Sequence, residues 1–213
     1  MGIALSRQDI LATKKTTMSL IVRKRTGFTD KLSQKARDSL NGNVALSAFV
    51  EGPYGGHHNL DSYGTVVLFA SGIGITYQVP YVRHLVAGYA NSTVACRKIT
   101  LIWTVQSPEH LEWIRPWMAS ILSLPSRRDV LKIMLFVTRP RSTKEIHSPS
   151  ATVQMLPGKP NIETLVELEM ENQIGAMAVS VCATGSFADE VRKAVRKRQG
   201  QRNLELVEAA FSW

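Results

Sequence analysis

The chain has 213 residues, is 44% hydrophobic and carries a formal net charge of +9. This length suits one large α/β domain, or one such domain with part of another. No apolar run of about 18 residues is present that would span a bilayer, and the first residues lack the apolar stretch of a secretory signal. The two cysteines, Cys96 and Cys182, lie far apart, which argues against a disulfide framework and favours a reducing compartment.

The basic charge attracts phosphates of any kind, whether in nucleic acid, anionic lipid or phosphorylated cofactors. Much of it lies in residues 192–198, late in a predicted helix that carries Asp189 and Glu190 early, an order that suits the helix dipole. A solvated helix face is the plain interpretation of this run. Because the chain has no RNA-binding aromatic motif, zinc-finger spacing or basic region with heptads, we expect no nucleic-acid partner.

The first quarter of the chain predicts short elements before a boundary. Residues 1–16 show little periodicity, so we expect an irregular start there. Alternation and helical spacing then predict a strand over residues 17–23, a helix over residues 28–41 with Leu32, Ala36 and Leu40 on one face and Gly42 as its stop, and a strand over residues 44–50. The Gly- and Pro-rich residues 51–58 mark a domain boundary.

A strand, a tight turn and a helix are predicted next. Residues 65–71 are a β-branched apolar run, Gly72 and Gly74 follow it, and residues 77–89 have helical spacing. Glycines let a backbone approach an anion closely, and the unpaired N–H groups at a helix start point at it. A plain strand-to-helix turn is the alternative, since Tyr77 replaces the third glycine of a full dinucleotide fingerprint.

Strands and helices alternate along the rest of the chain. Strands are predicted over residues 98–105, 130–137, 152–156, 177–182 and 204–208, with a polar loop over residues 138–150. Helices are predicted over residues 107–122 with a kink at Pro116, after Asn161, and from Ser186 with a capping box. This alternation implies an α/β fold with a doubly wound, mostly parallel sheet, whose ligands bind at the C-terminal strand ends.

Several of these strand ends carry motifs that occur together in one family. The motifs are residues 49–55, 70–76, 101–103, 158–161, 181–185 and 211–213. In this order and spacing, residues 17–213 resemble the C-terminal NAD(P)-binding region of the fungal ferric reductases, relatives of the NADPH oxidases and the ferredoxin–NADP reductases. The resemblance implies a ferredoxin-reductase-like NAD(P)-binding domain over residues 57–213. It also implies a remnant of an N-terminal flavin-binding β-barrel over residues 1–56.

The resemblance further implies roles for the matching residues. The predicted NADPH contacts are Ser71, Gly72, Ile73, Gly74, Ile75 and Thr76 in a pyrophosphate loop, Gly158, Lys159, Pro160 and Asn161 in a second loop, and Cys182 and Gly185 after the strand beside the nicotinamide. The predicted catalytic residues are Cys182 and the terminal aromatics Phe211 and Trp213, one of which would stack on the flavin of FAD. The cofactors carry the chemistry, which is hydride transfer from NADPH to flavin N5.

By this resemblance the chain is the NADPH-binding part of a ferric-chelate-reductase-like oxidoreductase, whose electrons leave FAD through two haems toward Fe(III). The parent architecture places it on the cytoplasmic face of a membrane, beside a flavin domain and a membrane haem domain. The His-Pro-Phe motif for FAD and the haem-bearing helices are absent, and Ala183-Thr184 replaces the family's Gly-Pro. We therefore expect a C-terminal fragment that is incomplete, and soluble, on its own. An NADPH oxidase-type domain and a catalytically silent nucleotide-binding module are the alternatives.

NADPH is favoured over NADH because Thr104, Gln106 and Ser107 offer no acid for the ribose hydroxyls after the second strand of the domain. The cations considered for a 2′-phosphate are Lys159, Arg139 and Arg141. Plainer roles remain open for the key residues, namely a buried small side chain for Cys182, a packing anchor for Trp213 and solvated charges for the cations. The adjacent His57 and His58 predict no metal site, and no triad or GxSxG pattern predicts a hydrolase.

Overall fold

The computed structural model describes residues 2–4, 19–52, 58–142 and 146–208. Two short strands, β1 (Gly2–Ala4) and β2 (Ser19–Ile21), pair antiparallel. The larger sheet contains β3 (Thr65–Ser71), β4 (Lys98–Val105), β5 (Leu131–Val137), β6 (Val153–Pro157), β7 (Met177–Cys182) and β8 (Leu204–Glu208). The helices are α1 (Phe28–Arg37), α2 (Ile75–Ala90), α3 (Arg115–Leu122), α4 (Arg127–Val130), α5 (Ile162–Glu171) and α6 (Gly185–Arg196), with 3₁₀ segments at Gly72–Gly74 and Pro108–Ile114.

The larger sheet has the strand order β6-β5-β4-β3-β7-β8, and every pairing in it is parallel. The chain builds outward from β3 to β6 and then returns to add β7 and β8 on the other side of β3. The winding direction therefore reverses between β3 and β7. In open α/β sheets, ligands bind outside the C-terminal strand ends at such a reversal. The α/β class and the doubly wound, mostly parallel sheet expected from the sequence are confirmed.

The central strand β3 buries both of its faces. Val66 and Leu68 belong to the core under α2, whereas Val67 and Phe69 belong to the core under α5 and α6. Because successive side chains enter two different cores, the positions between Thr65 and Ser71 are all apolar. This explains why a continuous apolar run, rather than an alternating one, precedes the glycines. The C-terminal end of β3 is thereby fixed at the middle of the sheet.

A buried glutamine ties α2 to the two strands at the reversal. The Gln78 side chain is fully buried, and its Nε2 donates to the Phe69 carbonyl oxygen at 3.1 Å and to Ser180 Oγ at 3.2 Å. Phe69 lies in β3 and Ser180 in β7, so one amide spans the helix and both strands. Buried polar groups are stable only when hydrogen-bonded, which makes the relative position of these three elements specific.

The N-terminal segment differs from the sequence prediction. Residues 44–50 form no strand and are mostly exposed, since no described strand lies beside them to share hydrogen bonds. The predicted helix ends at Arg37 rather than at residue 41, because the Ser39 N–H and hydroxyl both donate to the Ala36 carbonyl oxygen. Leu40 is consequently fully exposed. Strand β1 was not predicted at all, and among the described residues before Gly52 no barrel is seen beyond the β1–β2 ladder.

Two predicted helices are also corrected. The helix expected over residues 107–122 is divided into a 3₁₀ segment and α3, with Pro116 in the first turn of α3, where its missing N–H is tolerated, rather than at a kink. Helix α6 begins at Gly185, and its cap residue Thr184 makes no side-chain cap bond, so the capping box expected from Ser186 is wrong. None of the described helices combines the length and hydrophobicity needed to cross a bilayer.

Replacing Gln78 with methionine should destabilise the fold. Gln78→Met keeps the side-chain length but removes the buried hydrogen bonds to Phe69 and Ser180, so we expect the free energy of unfolding in urea to fall by about 1–3 kcal/mol. Gln34→Met, which alters an exposed glutamine on α1, is the control and should change it by less than about 0.5 kcal/mol. Equal effects of the two substitutions would contradict the role given to Gln78.

Candidate functional site

A cleft of about 710 Å³ opens at the C-terminal edge of the larger sheet. Its walls come from the ends of β3, β4 and β5, the turn after β6, the start of α6 and the chain around the end of β2. They include Ser71, Gly72, Ile73, Thr104, Lys159 and Thr184. A volume of this size is typical of small-molecule and cofactor sites, and the cleft lies where the winding of the sheet reverses.

Gly72 and Gly74 are needed for two different reasons. Gly72 has a φ of 54°, a left-handed conformation that glycine adopts without strain, and the space around it is open. Gly74 has helical dihedrals, but a Cβ there would overlap the carbonyl oxygen of Cys182 and lie 3.2 Å from its Sγ. The turn after β3 therefore packs directly against the end of β7, and only a residue without a side chain fits between them.

Two side-chain hydrogen bonds hold this turn in place. The buried Trp103 on β4 donates from Nε1 to the Gly72 carbonyl oxygen at 2.9 Å. The Thr76 hydroxyl donates to the Ile73 carbonyl oxygen at 3.0 Å. Because both carbonyl groups are held from inside the domain, the turn is ordered without a ligand. A preorganised site loses little conformational entropy when it binds.

Backbone donors reach the cleft from two helix starts. The first N–H groups of a helix have no intrahelical partner. The segment that begins at Gly72 and the start of α6 at Gly185 both lack a side-chain cap, and Gly72, Thr184 and Ser186 line the cleft. By contrast, Asn161 caps α5, where its Oδ1 accepts from the Thr164 N–H at 3.1 Å, as predicted. Two uncapped helix starts facing one cleft favour an anionic ligand.

The charged side chains of the cleft are mostly cationic. Arg23, Lys24 and Lys159 line it, against the single carboxylate of Glu190. Lys24 pairs with Asp30 at 2.9 Å, whereas Lys159 is exposed and makes no ion pair with another described residue. A cation of this kind remains available to a phosphate group. The cleft therefore suits a ligand with several negative charges.

Cys182 lies beneath the turn rather than on the cleft surface. Its side chain is 3% exposed, and burial raises the pKa of its thiol to about 12. The thiol is therefore neutral at physiological pH and is not a nucleophile, since the thiolate is the reactive form. Cys96, also buried, has a pKa raised to about 11 by the same cause. Both cysteines are free.

Thr104 places an unpaired hydroxyl in the wall of the cleft. Its residue is 7% exposed, and its Oγ1 has no hydrogen-bond partner among the described residues. Thr104 lies opposite Ser71 in the parallel pairing of β4 with β3, so the two polar side chains end neighbouring strands. An unsatisfied buried polar atom in a cleft wall is typical of a binding site whose partner is a ligand or a water molecule.

The structure brings most of the predicted site residues to this edge of the sheet. Ser71, Gly72, Ile73, Lys159 and Pro160 line the cleft, while Gly74, Ile75, Thr76 and Cys182 are buried behind it. Gly158, with a φ of 87°, and Asn161 bracket Lys159, and Gly185 is the first residue of α6. Phe211 and Trp213 lie outside the described residues, as do residues 53–57 of the proposed domain link.

Other cleft residues were not predicted as contacts. They include Thr104, His110, Trp113, Thr138 and Phe187. Their position just after β4 and β5 and in the first turn of α6 was a usable signal, because strand ends of one parallel sheet meet at one edge. Arg139 and Arg141 do not line the cleft, and Arg141 pairs with Glu109 at 2.8 Å. Within the described ranges, no group of three or more His, Cys, Asp or Glu residues is placed to hold a metal ion.

The fold and the cleft together define an α/β domain with a parallel sheet and a cationic cleft at the reversal of its winding, an arrangement typical of dinucleotide-binding domains. Residues 63–147 match the family described as the ferric reductase NAD binding domain. This segment therefore resembles the NAD-binding domain of the ferric reductases. The resemblance stated from the sequence is confirmed.

Two curated relatives and one solved structure describe the extent of the similarity. The chain is 30% identical over 99 residues to the "Probable cell surface ferric reductase kap2" of Aspergillus oryzae, covering 46% of this chain and 13% of the relative. It is 26% identical over 163 residues to the "Ferric/cupric reductase transmembrane component 2" of Schizosaccharomyces pombe, covering 72% of this chain and 28% of the relative. The chain thus spans less than a third of either relative.

The solved structure comprises the CS-b5R domains of human Ncb5or in an NAD⁺ form. It has a TM-score of 0.54 and 18% sequence identity, and the match covers 89% of this chain and 48% of that one. At this identity the likeness concerns the fold alone. It supports the α/β fold with a parallel sheet that is described above.

Replacing Gly74 with alanine should damage the domain because the added methyl group meets the end of β7. We expect the free energy of unfolding to fall by about 1–3 kcal/mol in Gly74→Ala, measured by chemical denaturation. Gly185→Ala is the matched control, since a Cβ there meets no atom within 4 Å in a helical position, and it should be neutral or slightly stabilising. A Gly74→Ala protein as stable as Gly185→Ala would contradict the close packing.

Proposed function

We propose that the cleft binds NADPH, with the pyrophosphate over the turn from Ser71 to Gly74. The observation that carries the proposal is the convergence of three features in one cleft: the ordered glycine turn at the sheet reversal, the uncapped start of α6 and the cation Lys159. Each of them favours an anion, and a dinucleotide is long enough to contact all three. Thr104 supplies a further hydrogen-bonding group without a protein partner among the described residues.

The residues of the cleft bind and orient the dinucleotide. The N–H groups from Gly72 onward would bind pyrophosphate oxygens, and Lys159 would neutralise phosphate charge. Cys182 positions the nicotinamide end indirectly, because it supports Gly74 and sets how closely the turn approaches β7. Thr184 and Phe187, at the start of α6, would form the wall beside that end. Gly158 and Asn161 act through Lys159, whose turn they shape.

In the proposed reaction, bound NADPH supplies a hydride from its nicotinamide to the flavin of FAD, giving NADP⁺ and reduced flavin. The electrons would then leave through a membrane haem domain toward Fe(III), on the cytoplasmic face of a membrane. FAD would be held by a flavin domain to which residues 1–56 contribute, with Phe211 or Trp213 at the flavin ring. Because the chain spans only part of its relatives, this whole activity is a proposal about the parent protein.

An NADPH oxidase-type domain has the same cleft chemistry and differs in the electron acceptor, which lies outside the described residues. A catalytically silent nucleotide-binding module is the other alternative. It is distinguished by function, because it would bind NADPH without reducing added FAD. Flavin bleaching under anaerobic conditions separates the silent module from an active reductase or oxidase domain.

The preference for NADPH over NADH is part of the proposal. Two acids follow β4, and both are engaged by arginines: Glu109 pairs with Arg141, and Glu112 pairs with Arg115. No carboxylate of this segment lines the cleft, so none is placed to bind the two ribose hydroxyls as in NAD-preferring sites. The cationic cleft favours the additional 2′-phosphate of NADPH.

Calorimetric titration of the chain with NADPH and with NADH tests the proposal. We expect NADPH to bind, and Lys159→Gln to weaken binding about three- to tenfold because a charged hydrogen bond to phosphate is lost. Lys193→Gln removes an exposed cation of α6 outside the cleft and should leave the affinity unchanged. Absence of NADPH binding at millimolar concentration would contradict the proposal. Equal losses in both variants would show that the charge effect is nonspecific.

A further inference from the structure

The outer edge of the larger sheet is covered by the chain that leads into it. Strand β6 lies at one end of the strand order, so in the described sheet its outer side faces no further strand. Residues 146–150, here called the edge cover, run back along that side, and Ser150 forms an antiparallel bridge with Val153. Residues 147–150 are exposed. An uncovered edge strand is a template for pairing with another chain, so the contacts of the edge cover decide whether this edge is open.

Ser148 covers the middle of this edge with its side chain. Its Oγ accepts the Met155 N–H at 3.0 Å and donates to the Met155 carbonyl oxygen at 3.4 Å. One hydroxyl group therefore replaces the backbone pair that a neighbouring strand would supply. Before it, the Val153 N–H donates to the carbonyl oxygen and to the Oγ of Ser150, at 3.2 and 3.1 Å. After it, Pro157 has no N–H to cover, a feature that proteins use at strand edges.

The cover depends on the proton of the Ser148 hydroxyl. Without that proton, Oγ cannot donate to the Met155 carbonyl oxygen. A phosphate ester on Oγ removes the proton, adds about 1.5 to 2 negative charges at neutral pH and brings further acceptor oxygens toward a carbonyl group that is itself an acceptor. The lost bond and the repulsion both separate the edge cover from β6. Modification of this one hydroxyl group is therefore sufficient to expose the backbone of Met155.

The sequence at Ser148 is the one that proline-directed protein kinases recognise, a serine followed directly by proline. The chain contains two such steps, Ser107-Pro108 and Ser148-Pro149. Ser107 is half-buried, and its Oγ accepts the Glu109 N–H at the start of a 3₁₀ segment. Ser148 instead lies in an exposed stretch outside the helices and named strands. A kinase therefore has access to Ser148, whereas Ser107 is held in the start of a helical segment.

We propose that Ser148 is a phosphorylation site for a proline-directed serine/threonine kinase, and that the phosphate opens the outer edge of β6. In this step the terminal phosphoryl group of ATP is transferred to Ser148 Oγ. The bond from that phosphorus to ADP breaks, the new ester bond forms, and the hydroxyl proton passes to a base of the kinase. Neither Ser148 nor Met155 lines the cleft, so the inference goes beyond the proposed function and does not depend on it.

Incubation of the purified chain with a mitogen-activated protein kinase and magnesium ATP, followed by mass spectrometry, tests the site. We expect phosphate on Ser148 and none on Ser107. Ser148→Ala should abolish the modification, and Pro149→Ala, which keeps the hydroxyl group, should slow it about tenfold or more. An unmodified Ser148, or equal modification of Ser107, would overturn the assignment of the site.

Amide hydrogen exchange, followed by NMR, tests the opening of the edge. We expect the Met155 amide to exchange about tenfold faster in the phosphorylated chain, because its hydrogen bond to Ser148 is lost. Ser148→Ala should speed this exchange as well, and phosphatase treatment of the phosphorylated chain should restore the slow rate. The Gln154 amide is the control, since alternate residues face opposite sides and it faces β5. Unchanged exchange at Met155, or equal acceleration at Gln154, would overturn the opening of the edge.

Discussion

The close contact between Gly74 and Cys182 is the constraint on which the rest of the site depends. It brings the turn after β3 against the end of β7, at the point where the winding of the sheet reverses. Without that contact, the start of α2 would stand away from β7 and the two helix starts would not face one cleft. Gly74 has no side chain and Cys182 has a small, neutral one, so the two residues can pack closely. This packing requirement has a functional consequence. Neither residue needs to touch a ligand to be essential.

The turn is supported from three directions before any ligand binds. Trp103 holds the Gly72 carbonyl group from β4, Thr76 holds the Ile73 carbonyl group from α2, and Gln78 joins α2 to β3 and β7. These bonds occupy carbonyl oxygens, and the N–H groups at the helix start have no side-chain cap. Buried polar groups therefore hold the turn at the end of β3 in a fixed position. The cationic walls then add long-range attraction for phosphates.

The parts of the fold that could be predicted from the sequence are those in which the local pattern of apolar residues is compatible with one type of secondary structure only. Strand β4 was predicted with its observed bounds, because eight largely apolar residues between polar ends suit a strand covered on both faces. Residues 44–50 are also largely apolar, yet they form no strand, since a strand also requires a neighbour that local sequence does not specify. For the same reason, the pairing of β1 with β2 was missed.

The site was predictable in outline only. The glycine turn and the loop at Lys159 carry recognisable residues, and their approach in space follows from the topology. Cys182 was predicted beside the nicotinamide. Its burial under Gly74 depends on how closely the turn packs against β7, which the spacing of residues along the sequence does not specify. His110 and Trp113 were missed because the segment was predicted to be α-helical, whereas side chains three residues apart eclipse each other in its 3₁₀ geometry and the two rings stack. Predictions at Phe211 and Trp213 stay predictions, since these residues lie outside the described part of the chain.

The most direct measurement of the central claim is chemical-shift mapping of backbone amides during titration with NADPH. If the strand ends around the reversal form one dinucleotide site, the amides of residues 72–74, Lys159 and residues 184–186 will shift together and saturate at one ligand concentration. The amides of Gly64 and Asn203, at the opposite edge of the sheet, will not shift. Shifts confined to the basic residues 192–198 of α6 and the turn after it, or separate saturation of the cleft segments, would contradict the account.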